Sequence, residues 1–149
     1  MKIGLASDHG GYKLKEKIKN YLNKRKIEII DYGTNSTESV DYPDFAHKLC
    51  TGINNKDVDY GIAICSTGIG ISIACNKVKG IRCAKVDNVE EAKMTRLDND
   101  ANCLALNGKM PTYLAKDIID IFINTDFSNL ERHQRRIDKV KKIEEKLYD

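Results

Sequence analysis

Residues 60–77 read Tyr60-Gly-Ile-Ala-Ile-Cys65-Ser-Thr-Gly-Ile-Gly70-Ile-Ser-Ile-Ala-Cys-Asn-Lys77. Gly61–Cys65 is a short apolar run with the length of a buried strand. Ser66-Thr67-Gly68-Ile69-Gly70 is a small polar and glycine loop. Ile71, Ile73, Ala74 and Val78 then recur at helical spacing. A strand, a glycine turn and a helix in that order predict an anion cradle. Glycine lets backbone N–H groups approach a ligand, and the helix N-terminus adds partial positive charge. Cys65 is expected at the mouth of this cradle, where a thiol is enriched in thiolate and serves as a base or nucleophile.

Three better-known loops do not fit. A nucleotide-binding P-loop needs Lys in the loop, and none is present. A dinucleotide fingerprint needs glycine where Ile73 stands. A cysteine phosphatase loop needs Arg where Ile71 stands. A thiol beside an amide cradle suits a small oxyanion better than a triphosphate.

Outward from this stretch, strand and helix patterns alternate. Strands are expected at Lys2–Ser7, Ile27–Asp31, Ile81–Val86 and Asn102–Leu106. Helices are expected from about Leu14 to Arg25, from Asp41-Tyr42-Pro43-Asp44 onward, from Asp87-Asn88 to about Leu97, after Gly108-Lys109-Met110-Pro111, and from about Leu130 to Leu147. Asp98-Asn99-Asp100 reads as a polar turn. Five alternations imply an α/β fold: one domain spanning 1–149, a doubly wound, Rossmann-like, five-stranded parallel sheet with helices on both faces and an extra C-terminal helix.

Ligands in such folds bind beyond the carboxyl ends of the strands. Three polar clusters should meet there: Asp8-His9-Gly10-Gly11, Cys65-Ser66-Thr67-Gly68 and Lys109. Asp98-Asn99-Asp100 precedes the fifth strand and joins them only if its loop folds back. On the last helix, Arg132 and Arg136 are one turn apart and border the stripe Ile137, Val140, Ile143 and Leu147. Such a pair can grip one phosphate or carboxylate. That helix follows a complete sheet, so a partner chain is its expected cover.

The chain has 149 residues, 41% hydrophobic and 32% charged, with a formal net charge of +3. These values point away from nucleic-acid and membrane partners. The N-terminus lacks the apolar core and cleavage site of a signal peptide. The five cysteines form no CxxC pair. Reduced thiols in a cytoplasmic protein are expected, without a zinc site. Plainer readings stand beside these. Cys65 ends an apolar strand, where cysteine is usually a small buried hydrophobe. Cys50, Cys75, Cys83 and Cys103 read as packing. Asp8 and His9 could only cap a helix, Thr67 could be an N-cap, and Arg132 and Arg136 sit among many solvated charges.

Taken together, SDHGGYKLKEKI, YGTNSTESVDYPDFA, GIAICSTGIGISIACNKVKGIRCA, NDANCLALNGK and ERHQRRIDKV resemble the type B ribose-5-phosphate isomerases over nearly the whole chain. That family also includes allose-6-phosphate and galactose-6-phosphate isomerases. The resemblance implies a homodimer or dimer of dimers whose site draws on both subunits, with no metal and no organic cofactor. It implies interconversion of an aldose phosphate and its ketose through an enediolate. By position, Cys65 resembles the base, the loop Ser66, Thr67, Gly68, Ile69 and Gly70 the anion hole, and Thr67 a residue assisting ring opening. Asp8, His9 and Asn99 resemble sugar contacts, Tyr42 a pocket-lining residue, and Arg132 and Arg136 phosphate ligands. Two positions depart from the pattern. Asp98 stands where relatives carry His, the ring-opening proton donor. Its pKa could be raised by burial or a neighbouring carboxylate, His9 could serve instead, or the substrate could need less help. Lys109 replaces a frequent Arg, keeping the charge without the bidentate fork.

Overall fold

The computed structural model describes residues 1–149. Five strands form one sheet: β1 (Lys2–Ser7), β2 (Glu28–Asp31), β3 (Tyr60–Cys65), β4 (Cys83–Lys85) and β5 (Cys103–Asn107). All pairings are parallel, in the order β2-β1-β3-β5-β4. Six helices accompany them: α1 (Tyr12–Lys24), α2 (Tyr42–Asn54), α3 (Ile69–Asn76), α4 (Val89–Asn99), α5 (Thr112–Ile123) and α6 (Glu131–Glu144). The expected doubly wound α/β architecture, with its extra C-terminal helix, is therefore the observed one.

The two faces of the sheet differ in side-chain size. Ile3, Leu5, Ile62, Ile64, Leu104 and Leu106 point to one face and pack with α1, α4 and α5. Each such side chain, fully buried, contributes about 1.5–3 kcal/mol. The other face carries Ala6, Ala63, Cys65, Cys103 and Ala105 beneath α2 and α3. Gly4 and Gly61 continue that row. A Cβ on Gly4 would lie 2.7 Å from Leu49 Cδ1, and one on Gly61 2.7 Å from Ile53 Cδ1. Small residues let α2 settle close to the strands.

One charged group is placed deep in the structure. Lys15 is fully buried, and its Nζ lies 2.8 Å from both carboxylate oxygens of Asp31. Burial alone would raise the Asp31 pKa. The Lys15 ammonium, the Gly33 amide and Lys19 outweigh it and hold the carboxyl below its usual range.

Several boundaries differ from expectation. β4 is only Cys83–Lys85, because the Arg82 amide turns to Asn102 Oδ1 at 2.9 Å instead of extending a ladder. Helix α4 runs through Asp98 and Asn99, which are not a turn. It ends where Asp100 adopts positive φ, with Arg96 hydrogen-bonded to Asp100 Oδ1 and to the Ala101 carbonyl. Helix α6 stops at Glu144, short of Leu147, and Lys146 takes a positive φ just beyond it. No helix is long and apolar enough to cross a membrane.

Candidate active site

The chain winds outward from β1 in both directions, so the strand order switches between β1 and β3. Their carboxyl ends lie side by side, Ser7 opposite Ile64. The loops leaving them touch. A Cβ on Gly10 would meet Ser66 Oγ at 2.0 Å, and one on Gly108 would meet the Gly10 carbonyl at 2.3 Å. Gly108 N–H also donates to the Cys65 carbonyl at 2.8 Å. The three loops expected to converge at this edge do so.

Asp8 is buried, and its Oδ1 accepts from the amides of Gly10 (2.9 Å) and Gly11 (3.2 Å). It shapes the turn into α1. His9 is half-buried, and its Nδ1 accepts from the Val40 amide at 3.2 Å. Tyr42 opens α2, and its ring covers Gly70 so closely that a Cβ there would lie 2.8 Å from Cζ. Lys109 is exposed, its amide held by Asn107 Oδ1 at 2.8 Å.

Cys65 does not sit openly at the mouth, as expected. It is 5% exposed, and its sulfur lies under the following loop, where the Gly68 amide donates to it at 3.1 Å. Gly68 has φ +80°, a conformation that suits glycine, and a Cβ there would strike the Leu106 carbonyl carbon at 2.8 Å. The Ile69 amide donates to Thr67 Oγ1 at 3.1 Å. The amides of Ser66, Thr67, Gly70 and Ile71 have no acceptor within the chain. These are the orphan donors of a helix start, gathered around one small loop.

Asp98, Asn99, Arg132 and Arg136 lie elsewhere. Helix α4 runs back along the sheet, so its last turn reaches the amino ends of β4 and β5. Cys103 opens β5 and Asn107, paired with Cys65, closes it. Four steps of about 3.3 Å put the two edges about 13 Å apart along the strand. The Asp98 loop therefore does not fold back over the crevice. Asp98 and Asn99 instead line a pocket of about 210 Å³ with Arg82, His133, Arg136 and Ile137. His133 Nε2 is 3.5 Å from Asp98 Oδ1. Its Nδ1 is 2.8 Å from Ser128 Oγ, which accepts from the Leu130 amide. Arg132 and Arg136 are both exposed on α6. His133 is the member of this cluster that sequence reasoning did not single out. Its helical position facing α4 was the available signal.

All five thiols are free, and Cys50, Cys75, Cys83 and Cys103 pack in the core beneath α2 and α3, as expected. Three of them, Cys75, Cys83 and Cys103, also meet one another. Their sulfurs lie within 4.8 Å of one another. The thiols of Cys103 and Cys75 beside Cys83 hold its pKa below the ordinary thiol range. Its neighbour Cys103 is pushed up by Cys75, Cys83 and burial.

Known proteins share both the sequence and the fold. Ribose-5-phosphate isomerase B of Escherichia coli (strain K12) is 39% identical, over 97% of this chain and 97% of that protein. The structure of Clostridium thermocellum ribose-5-phosphate isomerase B is 50% identical, with a TM-score of 0.95 over 98% of this chain and 99% of that one. The Mycoplasma genitalium enzyme, solved with bound ribulose-5-phosphate, is 38% identical, with a TM-score of 0.90 over 97% and 96% of the two chains. The family model described as Ribose/Galactose Isomerase matches residues 3–140, and the chain belongs to that family.

Proposed function

We propose that this protein interconverts an aldose phosphate and its ketose, with ribose 5-phosphate as the first substrate to try and allose or galactose 6-phosphate as alternatives. The observation that carries this reading is the group of four unpaired amides around the Cys65 loop at the strand-order switch. The relatives' activity supports it.

In this reading the Cys65 sulfur takes the proton from C2 of the opened aldose and returns it to C1. Negative charge passes to the sugar oxygen as the enediolate forms. The amides of Ser66, Thr67, Gly70 and Ile71, free of partners within the chain, are the donors for that charge, and such preorganised donors lower barriers by several kcal/mol. Gly68 and Ile69 shape the loop, and Thr67 assists ring opening. Asp8, His9 and Tyr42 line the sugar site, with Lys109 as a nearby cation. No metal or organic cofactor enters this scheme.

Arg132, Arg136, Asn99 and Asp98 belong to the opposite edge of the sheet, so in this reading they act on the site of a second copy. A homodimer, or a dimer of dimers, then completes two sites at once. The exposed apolar residues Val140, Ile143 and Leu147 on and beyond α6 supply a surface for that contact. For ring opening, Asp98 has an imidazole neighbour in place of the carboxylate considered from sequence. The Ser128 hydroxyl can donate to His133 Nδ1, which leaves a proton on Nε2 facing Asp98. The pair places one imidazole N–H beside the position where relatives carry a histidine. Five free thiols suit a cytoplasmic enzyme.

The test is anomer-resolved kinetics on pentose 5-phosphates and hexose 6-phosphates. Cys65→Ala should lower kcat by about 10²–10⁴-fold, the usual worth of a positioned base, with little change in KM. Near-normal turnover rejects Cys65 as the base. The departure at Asp98 favours one second reading, a sugar-phosphate-binding protein without turnover. Ligand-induced thermal stabilisation with no isomerisation of any sugar in the panel would select it.

A further inference from the structure

Away from the carboxyl edge, three sulfurs converge from three separate elements. Cys75 comes from the last turn of α3, Cys83 opens the edge strand β4, and Cys103 opens β5 beside it. Cys83 and Cys103 are register partners in adjacent parallel strands, so their side chains leave the sheet on the same face. Cys75 meets them from above, and the three sulfurs lie within 4.8 Å of one another. Cys75 and Cys103 are fully buried, whereas Cys83 is half-buried. Cys83 also lines a cleft of about 770 Å³, together with Asn76, Lys77, Ile81 and Arg82. The cleft therefore reaches one residue of the cluster.

The scaffold around the sulfurs is fixed. Asn76 Oδ1 accepts from the Cys83 amide at 2.8 Å, and its Nδ2 donates to the Cys83 carbonyl at 2.9 Å. This two-way clasp locks the end of α3 onto β4 and orients two of the thiols. Lys77 and Arg82 stand in the same cleft, with the Arg82 guanidinium held by the Asn99 and Asp100 carbonyls. A four-coordinate thiolate site has metal–sulfur distances of about 2.3 Å, which spaces its sulfurs about 3.8 Å apart. The observed separations, at most 4.8 Å, exceed that spacing by about 1 Å or less.

We propose that Cys75, Cys83 and Cys103 form a binding site for one soft, thiophilic metal ion of the Zn(II)/Cu(I) class. Thiolate sulfur selects such ions over hard cations. Binding forms three metal–sulfur bonds and releases the thiol protons to water, with no change of oxidation state. Any further ligand comes from the cleft side. The ion joins β4, β5 and the far end of the helix whose near end forms the amide loop. The site is distinct from Cys65 and independent of the isomerase reading.

The experiment uses the full-length reduced protein, in a buffer free of small thiols, titrated with Cd(II). The expected result is one equivalent bound, an ultraviolet sulfur-to-metal charge-transfer band with the amplitude of three bonds, and a higher melting temperature. Cys65→Ala should keep the band. Cys83→Ser and Cys83→Ala should lose it, and their Cd(II) affinity should fall by more than the roughly 10–100-fold seen when a mere supporting residue is removed. If both Cys83 variants fail to fold, Cys75→Ala gives the same readout. The proposal is overturned by a wild-type protein with no band, by a band that survives in the Cys83 variants, or by a band lost only in Cys65→Ala. It is equally overturned if the purified thiols pair as a Cys83–Cys103 disulfide that, once reduced, still takes no Cd(II).

Discussion

The two edges of the sheet gather their polar groups in different ways. At the carboxyl edge, backbone dominates. Loops 8–11, 65–70 and 107–109 lie in van der Waals contact, glycines stand where any Cβ would collide, and four amides of the middle loop and the first turn after it lack a partner. At the amino edge, side chains dominate. Asp98, Asn99, His133 and Arg136 gather between α4 and α6 around a pocket of about 210 Å³. Backbone donors hold position without losing rotamer entropy. Arginines on an exposed helix must be ordered by what they bind. In the proposed reading the first edge stabilises charge and the second recognises it.

The sharpest way to break this comparison is to damage one edge per chain. Cys65→Ala should be nearly inactive, and Arg136→Ala should lose about 10–150-fold, the worth of a charge-assisted contact of about 1.5–3 kcal/mol. Mixed after dissociation and allowed to reassociate, the two inactive proteins should recover about a quarter of wild-type activity. Half the dimers are then hybrids, each with one undamaged site. If activity does not return in a mixture with demonstrated subunit exchange, each chain works with its own two edges and the shared-site reading fails.

Next in size is the anchor of the carboxyl edge. Asp31→Ala strands the Lys15 ammonium in the interior and should cost about 3–5 kcal/mol in urea unfolding at pH 7. A cost under 1 kcal/mol would mean that Lys15 finds solvent. The same pair has a pH signature. Because the folded Asp31 carboxyl titrates below its ordinary range, its contribution is complete above the unfolded value of about 3.9. It is lost as pH falls through the lower, folded value. The stability gap between wild type and Asp31→Ala should therefore close in acid, as read from urea midpoints between pH 7 and 3.

The smallest effect sharpens the contrast. Asn88 caps α4 at the carboxyl edge, its side chain accepting from the Glu91 amide at 2.8 Å. Asn88→Ala should cost about 1 kcal/mol and leave kcat almost unchanged, because Asp98 and Asn99 sit at the other end of that helix. A tenfold fall in kcat would show that the two helix ends are coupled.

The carboxyl edge was legible in the sequence for a physical reason. Its elements are local: Gly68 and Gly70 follow Cys65 within five residues, and the apolar run before them reads as a strand. The amino edge was not. Asp98-Asn99-Asp100 has turn composition, yet only Asp100 leaves the helix, because Arg96 bonds onward to Asp100 and the Ala101 carbonyl. That arrangement is tertiary and invisible to local pattern. His133 was missed because its partners come from α4 and residue 128. The cysteine cluster was missed because positions 75, 83 and 103 have no motif spacing; the parallel register joins Cys83 to Cys103, and the packing of α3 brings Cys75 to them. Burial of Cys65 was legible as the plainer reading of a cysteine ending an apolar strand; the Gly68 amide bonded to its sulfur was not.

The unequal faces of the sheet have a consequence for how this chain can change over time. Beneath α1 and α5, one aliphatic side chain can replace another for less than about 1.5 kcal/mol, so drift there is cheap. Beneath α2, a single added methyl at Gly4 or Gly61 meets the tip of Leu49 or Ile53 at 2.7 Å, and that packed side chain must turn aside. New substrate preferences should therefore arise from the loops and from the tolerant side, while the α2 side stays nearly frozen in descendants of this sequence.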